Sequence, residues 1–124
     1  LLIGRYSPDN EDILGDTCWS VSNLSDGSNE NIQQVLDNFD LRRIVELLKH
    51  ANALVVTPAL RIVGNIVSGD DTQTDVILQL GVLDHLYRLL SHAKASIRKD
   101  ACWTISNITS GTISQIDVKL HFIY

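Results

Sequence analysis

The sequence predicts an all-α protein, a solenoid of tandem repeats with three helices in each. Three observations carry this. Residues recur in type at an offset of 42 along the 124-residue chain. Apolar residues within each unit fall at helical spacing. Polar or glycine breaks separate the apolar runs into three segments per unit. In the shared register Trp19 meets Arg61 and Trp103, Asn23 meets Asn65 and Asn107, and Gly27 meets Gly69 and Gly111. Aliphatic positions keep step: Ile13, Val55 and Ile97; Val21, Val63 and Ile105; Leu24, Ile66 and Ile108; Leu36, Leu78 and Leu120. Leu47 pairs with Leu89 and His50 with His92 in the same way. One coincidence is uninformative, but this many at one offset define a repeat of a length known in helical solenoids.

The units divide as residues 1–27, the tail of one repeat; 28–69 and 70–111, two complete repeats; and 112–124, the start of a further one. The tail carries a long helix from about Asp12. The first complete unit predicts helices over Asn29 to Asn38, Leu41 to His50 and Leu54 to Ser68, with Gly69 following. Pro58 falls near the start of the last of these, where a missing N–H costs little. In the second unit Asp70, Asp71 and Thr72 are polar starters, Thr74 to Leu80 is the first helix, and Gly81 breaks it. Val82 to Ser91 and Ser96 to Ser110 complete that unit, with Gly111 as the stop. Phe39 stands in the register of Gly81, so the turn between first and second helices should differ between units. Lys119 to Tyr124 depart from the repeat pattern.

Composition narrows the function. The net charge is −5, with 44% hydrophobic and 20% charged residues. That is too apolar for a disordered tail, and an acidic chain without a basic cluster is a poor partner for nucleic-acid phosphates. The longest uncharged run, Ala101 to Ile116, is rich in Ser, Thr, Asn and Gln, so no membrane insertion is expected. No signal-peptide pattern opens the chain. Two cysteines, Cys18 and Cys102, make no disulfide framework and suggest a reducing compartment. The chain starts at Leu1 and has no methionine, and is expected to be a piece of a longer one.

Catalytic and metal chemistry find no support. Cys18 and Cys102 are two repeats apart, too far to share a metal or a bond. No His-x-x-x-His or Cys-x-x-Cys pair, phosphate loop or nucleophile elbow occurs. The expectation is therefore no enzyme, no catalytic residue, no metal and no cofactor. His50 and His92 end equivalent second helices, where an imidazole can bond a terminal carbonyl. Asn23-Leu24-Ser25 and Asn107-Ile108-Thr109 match a glycosylation sequon, but both fall within predicted helices.

The long third helices carry the functional signal. At about 100° per residue, Ile97, Ala101, Ile105 and Ile108 form one apolar stripe, as do Ile13, Thr17, Val21 and Leu24, and Val55, Ala59, Val63 and Ile66. Trp103, Asn107 and Asp100 lie well away from that stripe. So do Asp16, Trp19 and Asn23, and in the middle helix Arg61 and Asn65. Stacked repeats place these helices about 10 Å apart. Their outer faces then form one surface with a ladder of Asn amides and two indoles separated by a guanidinium. Asn can hold both the N–H and C=O of an extended peptide. A Trp wall suits the aliphatic stem and charge of Lys or Arg. Asp16, Asp100 and the Asp70-Asp71 pair can meet the charged head. The inferred ligand is an extended, basic peptide.

The run Asp100-Ala101-Cys102-Trp103-Thr104-Ile105-Ser106-Asn107-Ile108-Thr109-Ser110-Gly111 resembles the third helix of an armadillo repeat of the importin-α (karyopherin-α) family. Thr17-Cys18-Trp19-Ser20-Val21-Ser22-Asn23-Leu24-Ser25-Asp26-Gly27 and Thr57-Pro58-Ala59-Leu60-Arg61-Ile62-Val63-Gly64-Asn65-Ile66-Val67-Ser68-Gly69-Asp70-Asp71 support it, and the likeness covers nearly all of residues 9–116. The order Trp, Arg, Trp resembles the central to C-terminal part of that family. The resemblance implies an armadillo-repeat superhelical solenoid and a nuclear import adaptor of cytoplasm and nucleus. Its partners would be basic nuclear-localisation-signal peptides of cargo. Importin-β would join only through a basic segment absent from these residues. Trp19, Asn23, Trp103 and Asn107 match the family's groove array, Arg61 with Asn65 its interruption, and Asp100 an acidic position just before Trp103. The competing reading is a generic armadillo protein-interaction scaffold not specific for basic peptides.

Overall fold

The computed structural model describes residues 10–110, which form seven α-helices and no strand. They are α1 (Glu11–Ser25), α2 (Asn29–Asn38), α3 (Leu41–Leu47), α4 (Ala53–Ile66), α5 (Asp71–Leu78), α6 (Val82–Leu89) and α7 (Ala95–Thr109). The expected stop at Gly111 and the departures over residues 119–124 lie outside the described residues.

The long helices α1, α4 and α7 stack side by side, and α2 packs on its counterpart α5. The short α3 and α6 lie against α4 and α7 of their own units. The first and third helices thus meet their equivalents in the next unit, as a solenoid requires. Helix α4 is the centre. Val55, Val56, Ala59, Leu60, Ile62, Val63 and Ile66 are all buried, because α1, α3, α5 and α7 cover it from different sides. Pro58 is the sixth residue of this helix and has no N–H for the carbonyl of Leu54. That carbonyl is where α1 comes close: a Cβ on Gly15 would stand 3.0 Å from it.

The apolar stripe expected for α1 is corrected. Ile13 and Leu24 are exposed, and α1 instead buries Leu14, Cys18, Val21, Ser22 and Ser25. Their equivalents Ile97 and Ile108 in α7 are buried, in a unit where α6 packs on α7. No described helix precedes α1 to serve it so. The side of α1 that is buried is the one that meets the next unit through α4.

Helix ends follow their caps. Asn10, Ser28 and Asp40 cap α1, α2 and α3 by accepting from the backbone N–H three residues on. Helix α5 starts at Asp71, earlier than expected, because Asp70 and Gln73 form a capping box. The Gln73 amide continues across the repeat boundary to the Asn29 carbonyl at 2.8 Å and the Gln33 amide oxygen at 3.2 Å. What reads as a polar break is a buried tie between α2 and α5. The second helices stop sooner than the apolar pattern suggests, at Leu47 and Leu89.

The turn between first and second helices does differ. Gly81 takes a left-handed φ of 77° before α6, a conformation that glycine adopts without steric cost. Phe39, in the same register, has an extended φ of −123°, and Asp40 supplies the cap. The turn between second and third helices is conserved between units, with a correction to the expected capping. His50 Nδ1 accepts the Asn52 N–H, and His92 Nδ1 accepts the Lys94 N–H, each at 3.0 Å. The imidazoles hold the chain ahead rather than a carbonyl behind.

Candidate groove across the third helices

Spacing of four residues puts Trp19 and Asn23, Arg61 and Asn65, and Trp103 and Asn107 on the same faces of α1, α4 and α7. Because these helices stack in register, the pairs share one side of the molecule. Trp19 and Trp103 are 41% and 46% exposed, so neither is consumed by the core. Trp103 leans over α4, where a Cβ on Gly64 would meet its Cζ3 at 2.8 Å.

Three adjoining clefts mark this surface. The first, about 300 Å³, lies between α1 and α4 and is lined by Trp19, Ser22, Asn23, Asp26, Arg61 and Asn65. The second, about 200 Å³, is reached by Ser25, Asp26, Gly27, Ile32, Asn65, Ser68 and Trp103. The third, about 110 Å³, holds Asp16 with Glu11, Asp12, Gly15, Trp19 and Leu54. An indole wall, an amide and a carboxylate thus occur together, the groups that suit a cationic side chain on an extended backbone.

The three asparagines are not equivalent. Asn65 Nδ2 donates to the Ser22 carbonyl at 3.1 Å and to Ser25 Oγ at 3.0 Å, tying α4 to α1. Asn107 Nδ2 reaches Ser68 Oγ only at 3.5 Å. Asn23 is exposed beside Trp19. Arg61 Nη2 stands 3.6 Å from Asp100 Oδ2, so the carboxylate expected to meet a ligand already faces a guanidinium. Both side chains remain partly exposed, and such a pair contributes little to stability.

The acidic pair of α5 is placed differently from expectation. Asp70 is committed to its cap, and Asp71 opens α5 without lining any of these three clefts. Sequence reasoning missed Asp26, which lines two of them. The signal was present: its register equivalents are Ser68 and Ser110. Among the described residues no helix is long and apolar enough to cross a membrane, and no cluster of His, Cys, Asp and Glu could hold a metal ion.

Residues 70–110 match the Armadillo/beta-catenin-like repeat family. Importin subunit alpha-1b of Oryza sativa subsp. japonica is 56% identical over 64 residues, 52% of this chain and 12% of that protein. Importin subunit alpha-B of Dictyostelium discoideum is 58% identical over 60 residues, 48% of this chain and 12% of that protein. The chain therefore spans about an eighth of the length of the curated relatives it matches. Among solved structures, a designed armadillo repeat protein in complex with the peptide (KR)4 superimposes with a TM-score of 0.89 at 31% identity, over 98% of this chain and 49% of that one.

Fold and comparisons together define an armadillo-repeat solenoid, three helices to the repeat. Within that class, about half of the chain is similar to importin subunits alpha.

Proposed function

We propose that the face formed by α1, α4 and α7 binds extended basic peptides of the nuclear-localisation-signal kind, as part of an adaptor for protein import into the nucleus. The observation that carries this reading is the pair of half-exposed indoles, Trp19 and Trp103, each sharing a cleft with an Asn amide and a carboxylate. A Lys or Arg stem can lie on an indole while its charge meets the acid and its backbone meets the amide. The likeness to importin subunits alpha supports it, as does the basic peptide bound by the designed neighbour. On this reading the working protein moves between cytoplasm and nucleus, and importin-β engages a segment outside these residues. Trp19, Asn23, Trp103 and Asn107 hold the ligand, Asp16 and Asp100 add negative field, and Arg61 with Asn65 interrupts the array.

Isothermal titration with a Lys/Arg-rich signal peptide, and with a copy in which every Lys and Arg is Gln, tests this. The basic peptide should bind at least about tenfold more tightly, a difference of about 1.4 kcal/mol. Equal binding of both peptides would make the segment a general scaffold.

A further inference from the structure

Resting on that reading, we propose that Asp26 is the residue that selects for a Lys or Arg side chain where α1, α4 and α7 meet. Asp26 lies between the two larger clefts, with Trp19 in one and Trp103 in the other. Its backbone is held before any ligand arrives. The Asp26 N–H donates to the Asn23 carbonyl at 3.4 Å, and its own carbonyl accepts from Asn31 Nδ2 at 3.2 Å. Gly27, at a φ of 111°, then turns the chain away into α2. A pre-set position lowers the ordering cost of binding.

The carboxylate itself has no hydrogen bond or ion pair with another described residue, whereas Asp100 faces Arg61 at 3.6 Å. It also stands at the wrong end of its helix. Asp26 caps the C-terminus of α1, where the helix dipole is negative, and the last turn of α1 has no basic residue. An anion there works against the helix, and a cation is favoured. The two other units avoid that cost with Ser68 and Ser110. The solenoid therefore does not need an acid at this position. A cationic side chain entering from the groove would meet the carboxylate and the α1 carbonyl end together, with an indole for its stem.

The test is equilibrium binding of a peptide of four Lys-Arg pairs to the whole chain at two ionic strengths. Asp26→Ser, the residue the other units carry, and Asp26→Asn should each lose about tenfold in affinity at low salt and show a shallower salt dependence. Asp84→Asn removes the same charge from α6, away from the groove, and should change affinity less than about twofold. Equal effects of Asp26→Ser and Asp84→Asn would overturn the proposal while leaving the peptide-binding reading intact. Wild-type protein that binds the peptide no better than an all-Gln copy would overturn both. A circular-dichroism melt of each variant separates lost binding from lost fold, with Asp26→Asn standing in should Asp26→Ser unfold.

Discussion

Asn23, Asn65 and Asn107 share a register, yet their amides have different work. The Asn65 amide is spent on Ser22 and Ser25 of the preceding helix, while Asn23 is exposed at a cleft. Asn65→Ala should therefore lower unfolding free energy by about 1–2 kcal/mol, since it strands partners at a helix interface. Asn23→Ala should leave stability unchanged and weaken binding of a basic peptide severalfold. Urea unfolding and calorimetric titration of the two variants give the comparison. The sequence makes the register legible because identities repeat. It hides the division of labour, because the deciding groups, Ser22 and Ser25, come from another unit. Asp26 is legible in the opposite way, as a departure from the register in which the other units carry Ser68 and Ser110.

At the scale of helices, close approach depends on glycine at the stack's interfaces. Gly64 lets Trp103 lean onto α4, and a methyl there would sit 2.8 Å from the ring and 3.2 Å from Thr104 Oγ1. Gly64→Ala should cost about 1–3 kcal/mol by overpacking and blue- or red-shift the Trp103 fluorescence as the indole is displaced. Chemical denaturation followed at the indole emission checks both. Element identity and order were readable from apolar spacing, and α2 has the bounds expected for it. The miss at the start of α5 has a local cause: Asp70 and Gln73 look like a polar break until their reciprocal cap is seen. The miss in α1 is not local. Ile13 and Leu24 have helical apolar spacing, but burial depends on a neighbouring helix, which spacing does not encode.

The stack as a whole distinguishes its two cysteines. Cys18 and Cys102 hold the same register, but Cys18 is buried where α1 meets α4, and Cys102 is exposed. Burial pushes the Cys18 thiol up to about 11 from 9.0, an effect only partly countered by Arg43. A maleimide probe at pH 8 should label Cys102 quickly and Cys18 only on unfolding, which mass spectrometry of peptides resolves. Because the folded value is the raised one, the Cys18 contribution to stability is fully present below 9.0 and is lost as pH rises through about 11. Cys18→Ala should remove that alkaline loss, seen by comparing melts of variant and parent at pH 8 and pH 11.

The paired histidine turns write a spacing into this stack. Each imidazole accepts at Nδ1 from the chain two residues ahead, His50 from Asn52 and His92 from Lys94. The same short clasp recurs 42 residues on, at the joint between second and third helices. The approach of each of these long helices is thus fixed by a contact made within its own unit, and a change of one imidazole is felt at one joint while its counterpart keeps the other.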